Sequence, residues 1–93
     1  MGSFRVVLTP AAQRQLRGLR GSVLLALRGV ILALGTEPRP HGARKLSGSA
    51  DLWRMRLRID GQPWRVIYQL RSKERVVVIT RVARRDEGTY QGL

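Results

Sequence analysis

Apolar and polar residues alternate with a period of two through most of the second half of the chain. From Asp51 onward one side of the pattern holds Trp53, Met55, Leu57 and Ile59, and the other holds Arg54, Arg56, Arg58 and Asp60. After a turn at Asp60 and Gly61 the apolar set resumes with Trp64, Val66, Tyr68 and Leu70. This spacing predicts two half-buried strands joined as a hairpin.

A third strand follows the turn at "RSKE". Residues Arg75 to Ala83, "RVVVITRVA", are apolar on both faces in their first half. A strand of this kind is typical of the interior of a sheet, so we expect helices to cover one of its sides.

The first half of the chain opens with a strand and then changes to helical spacing. Phe4 to Leu8 is rich in β-forming residues, and "TP" follows it, where Thr9 can cap a helix that begins at Pro10. The glycines in "GLRGS" predict a break near Gly21, with Ser22 as the next N-cap.

The second helix is predicted over residues 23 to 34. Its apolar stripe consists of Val23, Leu27, Val30, Ile31 and Leu34. Gly35 is expected to stop the helix in a left-handed conformation, and the two prolines of "EPRPHG" prevent its continuation. Residues 1–93 are therefore predicted to form one α+β domain with an N-terminal strand, a helical hairpin and a three-stranded antiparallel meander.

Charge adds the first functional indication. The chain has 18 basic and six acidic residues, and its net charge is +12. This excess of positive charge favours polyanionic partners: nucleic acid, a ribonucleoprotein surface or an acidic protein. The apolar stretch from Val23 to Leu34 is interrupted by Arg28 and Gly29 and is too short to span a bilayer. We predict no membrane association.

The same composition excludes several chemistries. The chain has no cysteine and a single histidine, His41, so no thiolate nucleophile, disulfide or histidine pair is available. With six carboxylates spread along the chain, we predict neither a metal site nor a cofactor. The lack of cysteine suits a reducing cytosol, and His41 is interpreted as a loop residue.

The arginines of the hairpin have two interpretations. Arg54, Arg56 and Arg58 are compatible with an ordinary solvent-exposed sheet face. Arg65 on the neighbouring strand, however, would lie beside Arg54 and Arg56, and like charges placed side by side destabilise a sheet unless an anion binds. Such a face suits phosphodiester binding, or metal-free RNA cleavage by the substrate's own 2′-hydroxyl.

Other candidate binding residues also have two interpretations. Leu25 and Leu32 lie off the helical stripe and are either peripheral core or a surface that binds a partner. Trp53 and Trp64 are interpreted as core or sheet-edge packing rather than base-stacking platforms. Arg81 either lines the cleft or pairs with Asp51 or Glu87.

Four segments in series resemble the RelE/ParE superfamily of type II toxin–antitoxin toxins. They are "FRVVLTPAAQRQLRGL", "EPRPHGARKLSGSADLWRMRL", "WRVIYQL" and "VVVITRVARRDEGTY". The resemblance implies a RelE-like α+β fold with one curved sheet. It also implies one of two activities: metal-independent mRNA cleavage in the ribosomal A site, as in RelE-type members, or inhibition of DNA gyrase, as in ParE-type members.

The RelE-type pattern implies a role for individual residues. Arg54 and Arg56 would handle the proton of the attacking hydroxyl and hold the phosphate, and Arg65 would stabilise the transition state. Arg85 would act on the leaving oxygen, or Arg84 would do so if the register slips by one. Tyr90 would orient a base, and Arg44, Lys45, Arg81 and Arg84 would contact RNA or the ribosome.

The resemblance also implies partners. We expect a cytoplasmic toxin that acts on the ribosome and mRNA and forms a hetero-oligomer with a cognate antitoxin, which should be acidic and amphipathic. Leu25 and Leu32 would be its apolar contacts. Lysines of the best-known members are arginine at positions 54 and 56, which favours an electrostatic role for both. A non-catalytic RNA-binding or ribosome-binding module is the third interpretation, since charge alone would suffice for it.

Overall fold

The computed structural model describes residues 3–46, 48 and 51–85. These residues form a five-stranded mixed sheet with two helices packed on it. In chain order the elements are β1 (Arg5–Leu8), α1 (Pro10–Arg17), α2 (Gly21–Ala33), β2 (Arg44–Lys45), β3 (Leu52–Ile59), β4 (Gln62–Arg71) and β5 (Val76–Arg84). The strands lie in the order β1-β5-β4-β3-β2. β1 runs parallel to β5, and the other neighbours are antiparallel. The predicted α+β class and element order are confirmed, and the short strand β2 was not predicted.

The first helix begins where its capping residues predicted. Thr9 is the N-cap, with its hydroxyl oxygen accepting a hydrogen bond from the amide of Ala12 at 3.2 Å, and Pro10 is the first helical residue. Thr9 also ties the helix to the sheet, because its own amide donates to the carbonyl of Ile79 at 3.0 Å. The helix is thereby fixed against β5.

The second helix differs from its prediction at both ends. It begins at Gly21, and its N-cap, Arg20, makes no side-chain capping bond. Ser22 is not the N-cap, because its hydroxyl donates instead to Oδ2 of Asp60 in the β3–β4 turn. The helix ends at Ala33.

Gly35 serves a different purpose from the one predicted. Gly35 does not have a positive φ, so the prediction that it stops the helix in a left-handed conformation is wrong. A Cβ atom at this position would lie 2.9 Å from the carbonyl oxygen of Phe4 and 3.1 Å from Cγ2 of Val6. Glycine is therefore needed for the close approach of the chain to β1, where the amide of Phe4 donates to the Gly35 carbonyl at 2.7 Å.

The β3–β4 hairpin is confirmed. Asp60 and Gly61 have φ values of 51° and 78°, and Ile59 pairs with Gln62 on either side of them. Two consecutive positive φ values are characteristic of the type I′ turn, whose twist matches that of the flanking strands.

The core lies between the two helices and one face of the sheet. Its buried apolar residues are Ala12, Leu27, Ile31, Leu34, Ile59, Trp64, Val66, Tyr68, Leu70, Val77, Ile79 and Val82. Trp64 belongs to this core and Trp53 packs against it, as predicted. Neither helix of the described part is long and apolar enough to cross a membrane.

Candidate functional site

Five arginines converge on the sheet face that points away from the helices. Residues paired across neighbouring strands share a face, and the register pairs Arg44 with Arg54 and Arg56 with Arg65. Alternation along β3 places Arg54 and Arg56 on the same side, opposite the packed side chains of Met55 and Leu57. We call Arg44, Arg54, Arg56, Arg65 and Arg85 the arginine face.

The guanidinium groups of the arginine face lie close enough to repel one another. The pKa of Arg54 is lowered from its ordinary value, first by desolvation and then by repulsion from Arg56, Arg44, Arg85 and Arg65. Nε of Arg54 is buried, and no described residue forms a hydrogen bond with it. Carrying the charge on Arg54 therefore costs more free energy in the protein alone than in water, and a bound anion would relieve this cost.

Carboxylates in the described ranges pair elsewhere. Asp51 binds Nζ of Lys45 at 3.2 Å, and Glu74 binds Nε of Arg71 at 3.8 Å. Arg81 therefore does not pair with Asp51; it lies opposite Ile67 on the arginine side of the sheet, where it is exposed. Lys45, a predicted RNA contact, has part of its charge balanced by Asp51.

The two candidate arginines at the end of β5 lie on opposite faces. Arg84 is paired with Trp64, a core residue, so it lies on the helix side and not on the arginine face. Arg85 follows it on the other side, and its amide donates to the carbonyl of Pro63 at 3.0 Å. Of the two registers left open by the sequence, the structure has the one that places Arg85 near Arg54.

Arg58 and His41 stand apart from this cluster. Arg58 is exposed, and its Nη2 donates to the carbonyl of Gly61 at 3.2 Å in the hairpin turn. Tyr90 lies outside the described residues, so its proposed part in the site stays a prediction. His41 is exposed in the turn that precedes β2, as its interpretation as a loop residue requires.

The off-stripe leucines are surface residues. Leu25 is 71% exposed and Leu32 is 65% exposed, so their interpretation as peripheral core is wrong. Leu32 borders an open groove of about 420 Å³ between the helices, with apolar walls that include Leu16 and Ile31, and with Arg17 and Arg28 also lining it. The binding of a partner here remains a prediction.

Sequence reasoning missed two polar residues that hold β5. The amide of Val82 donates to Oε1 of Gln15 at 2.6 Å, and the hydroxyl of Thr80 donates to the carbonyl of Ile67 at 3.2 Å. A signal was present, because the apolar positions Val77 and Ile79 are followed by Val82 and the period of two breaks between them. Such a break occurs at β-bulges, but by itself it does not identify the residue that bulges.

A metal centre finds no support in the described ranges. They contain no group of three or more His, Cys, Asp or Glu residues that could hold a metal ion.

Solved structures with the same fold define the class of this protein. A mutant of the Escherichia coli toxin RelE in the free state has a TM-score of 0.76 and 21% identity, covering 97% of this chain and 92% of the other. The toxin–antitoxin complex RelBE2 from Mycobacterium tuberculosis gives 0.76 and 27%, covering 94% and 97%. The archaeal RelE–RelB complex from Pyrococcus horikoshii OT3 gives 0.72 and 27%, covering 91% and 98%. The fold is the α+β fold of RelE, with its curved open sheet.

Sequence comparison then gives the family. The model of the family described as "ParE toxin of type II toxin-antitoxin system, parDE" matches residues 6–88. The chain therefore belongs to this family, within the RelE/ParE superfamily, and is a toxin of a type II toxin–antitoxin system. No curated protein matches it significantly.

Proposed function

We propose that this toxin is an endoribonuclease that cuts mRNA in the ribosomal A site by metal-independent attack of the substrate's 2′-hydroxyl on the neighbouring phosphorus. The observation that carries the proposal is the arginine face, where desolvation and four neighbouring arginines lower the pKa of Arg54. A scissile phosphodiester and its transition state supply the negative charge that this cluster lacks. RNA binding then relieves a repulsion that the free protein retains.

Each arginine has a proposed task. Arg54 and Arg56 hold the phosphate and orient the attacking hydroxyl, and Arg65, paired with Arg56 across the hairpin, stabilises charge on the phosphoryl oxygens. Arg85 acts on the leaving oxygen, and Tyr90 orients a base. Arg44 and Arg81 extend the contact along RNA or the ribosome. Lys45 and Arg84 are paired with Trp53 and Trp64 on the helix side, so they take no part in holding the scissile phosphate.

The proposed mechanism relies on orientation and electrostatics rather than on a strong base. Arginine is not deprotonated in proteins at neutral pH, so none of these residues can act as a strong base. Fixed guanidinium forks can align the hydroxyl with the phosphorus, and removal of one transition-state donor typically lowers a rate about 10²–10³-fold.

A second candidate function is inhibition of DNA gyrase. It is favoured by the family match, since the matched family is that of ParE toxins. Against it stands the arginine face: a gyrase inhibitor has no need to concentrate repelling arginines around one half-buried guanidinium.

Primer extension on translating mRNA distinguishes the candidates. We expect cuts at the A-site codon after induction of the toxin, and no cuts in the same mRNA without ribosomes. DNA breaks that depend on gyrase, with intact mRNA, would establish the second candidate instead. Ribosome binding with neither kind of cut would indicate a non-catalytic module.

The partner that restrains this toxin is proposed to be an acidic, amphipathic antitoxin. The RelBE2 and RelE–RelB structures named above are complexes with antitoxins. In this chain, Leu25 and Leu32 are seven residues apart on one face of α2, and Arg28 lies between them on that face. An antitoxin helix would bury the leucines and pair its acids with Arg17 and Arg28.

A charge placed on this surface tests the partner. Leu25→Glu and Leu32→Glu should each weaken antitoxin binding at least about tenfold, because a buried carboxylate would replace apolar contact. Growth arrest by the toxin alone should persist. Gln62→Glu, at an exposed position of the hairpin, adds the same charge and serves as the control. Unchanged affinity in both leucine variants would exclude this surface.

A further inference from the structure

Strand β5 contains one residue more than its neighbour can pair. Tyr68 is opposite Ile79 and Ile67 is opposite Arg81, so Thr80 lies in a bulge and has no register partner in β4. A bulge of one residue reverses the alternation of the strand beyond it. Val82 and Arg84 consequently lie on the helix side, and Arg81, Ala83 and Arg85 lie on the side of the arginine face.

An unbulged ladder would produce the opposite arrangement. Thr80 would then face Ile67, and every later residue of β5 would change sides. Arg84 would join the arginine face and Arg85 would turn toward the helices. Val82, which is 3% exposed, would turn outward, so hydrophobic burial favours the bulge.

Three side-chain hydrogen bonds surround the bulge. The hydroxyl of Thr80 donates to the carbonyl of Ile67 at 3.2 Å, and that of Thr9 donates to the Thr80 carbonyl at 3.4 Å. Gln15 accepts the Val82 amide at 2.6 Å.

The position of Gln15 explains its importance. β1 ends at Leu8, and its last register partner is Ile79, so beyond Ile79 no strand of the described residues lies beside this edge of β5. The Val82 amide points to this edge only in the bulged register; without the bulge the Arg81 amide would point there, since amides of one strand alternate in direction. Gln15 thus recognises the bulged register.

We propose that Gln15 and Thr80 are positioning residues: by holding the bulge they place Arg85, and not Arg84, beside Arg54. The effect of this placement on catalysis rests on the proposed endonuclease function, whereas the assignment of the register does not. The two parts are therefore tested by separate measurements.

The first measurement is the rate of A-site cleavage in a reconstituted translation system. Gln15→Met keeps the length of the side chain but removes the hydrogen-bond acceptor. We expect it to lower kcat up to about 100-fold and to change KM much less, because it would misplace a catalytic group without removing it. Gln15→Glu keeps an acceptor and should restore most of the rate. Thr80→Val should act like Gln15→Met, and Gln13→Met, on the exposed side of the same helix, is the control.

Coupling to Arg85 separates positioning from general destabilisation. In the Gln15→Met background, Arg85→Ala should lower kcat little further, because both changes act through the same guanidinium group. Losses that multiply, or an unchanged kcat in Gln15→Met, would overturn the positioning role.

The second measurement needs no enzymatic activity. Because the chain lacks cysteine, Arg84→Cys and Arg85→Cys each introduce a single thiol. A thiol at position 85 lies among guanidinium groups, which favour its thiolate, and should react faster with an anionic disulfide reagent than a thiol at position 84. Gln15→Met should reduce this ratio, and Gln13→Met should preserve it.

The two measurements have distinguishable failures. Equal reaction rates at positions 84 and 85 would overturn the register assignment. A faster reaction at position 85 than at position 84, together with a wild-type protein that cuts no mRNA, would overturn the endonuclease and leave the register assignment standing.

Discussion

The same strands form both faces of the sheet, but the two faces carry different kinds of side chain. On the helix side, Val66, Tyr68, Val77 and Ile79 are completely buried, and no charged or polar residue of the described ranges is buried with them. On the other side, arginines are paired with arginines, Arg44 with Arg54 and Arg56 with Arg65. One face buries the core, and the other places like charges side by side, which costs stability.

This difference indicates how a small toxin can concentrate charge. Like charges facing each other across strands are tolerated because residues one position away bury their side chains in the core. Since neighbouring positions serve different purposes, substitutions on the two faces should separate activity from stability.

The largest expected effect concerns the arginine face. Arg65→Ala and Arg85→Ala should each lower mRNA cleavage about 10²–10³-fold and abolish growth arrest, because each removes a donor to the transition state. Antitoxin binding and the free energy of unfolding should be retained. Arg58→Ala, on the same strand face as Arg54 but bonded to the hairpin turn, is the control and should remain toxic. Undiminished arrest by both variants would refute the assignment.

The helix side should show the reverse behaviour. Leu27→Ala should lower the free energy of unfolding by about 2–5 kcal/mol, because Leu27 is completely buried and its truncation leaves a cavity. Leu25→Ala, on the exposed side of the same helix, should change it by less than about 0.5 kcal/mol. Urea denaturation measures both values, and similar losses in the two variants would contradict the described packing of α2.

Tyr68 makes the stability of the helix side dependent on alkaline pH. Burial raises the pKa of Tyr68 to about 12, and its hydroxyl donates to the carbonyl of Pro38 at 2.6 Å. A raised pKa stabilises the folded protein fully below the unfolded value, near 10, and this contribution is lost as the pH rises through 12.

Tyr68→Phe should therefore cost about 1 kcal/mol at neutral pH, and the difference from wild type should shrink above pH 10. Denaturant unfolding from pH 7 to 12 measures this. Tyr90→Phe, which changes the only other tyrosine, is the control. A difference that stays constant with pH would refute the role of the Tyr68 hydroxyl.

The smallest expected effect is an increase in stability. The lowered pKa of Arg54 means that its protonated form is destabilised on folding, and at pH 7 this cost is present in full. Arg56→Gln removes one repelling neighbour and should raise the free energy of unfolding by about 0.2–1 kcal/mol.

The same variant should respond less to anions. Sulfate should stabilise wild type more than chloride does at equal ionic strength, and this advantage should be smaller in Arg56→Gln. Arg14→Gln, on the exposed surface of α1, removes a charge outside the arginine face and serves as the control. A lower stability of Arg56→Gln would contradict the repulsion.

Local patterns predicted most elements because they reflect local physics. The Thr9–Pro10 cap, the Asp60–Gly61 turn and the alternation in β3 and β4 depend on residues a few positions apart, and all three are confirmed. The errors involve distant partners. Ser22 binds Asp60 instead of capping its helix, and Gly35 is needed by β1 rather than by a helix end.

The sequence by itself determined the class of fold, the strand that carries Arg54 and Arg56, and the placement of Arg65 across the hairpin, because a turn of two residues leaves one register. It left Arg84 and Arg85 undecided, since both follow the same strand. Only the tertiary structure decided between them: a bulge at Thr80, held by Gln15 from α1, turns Arg85 toward the arginine face. A hydrogen bond between residues 67 positions apart has no counterpart in any local pattern.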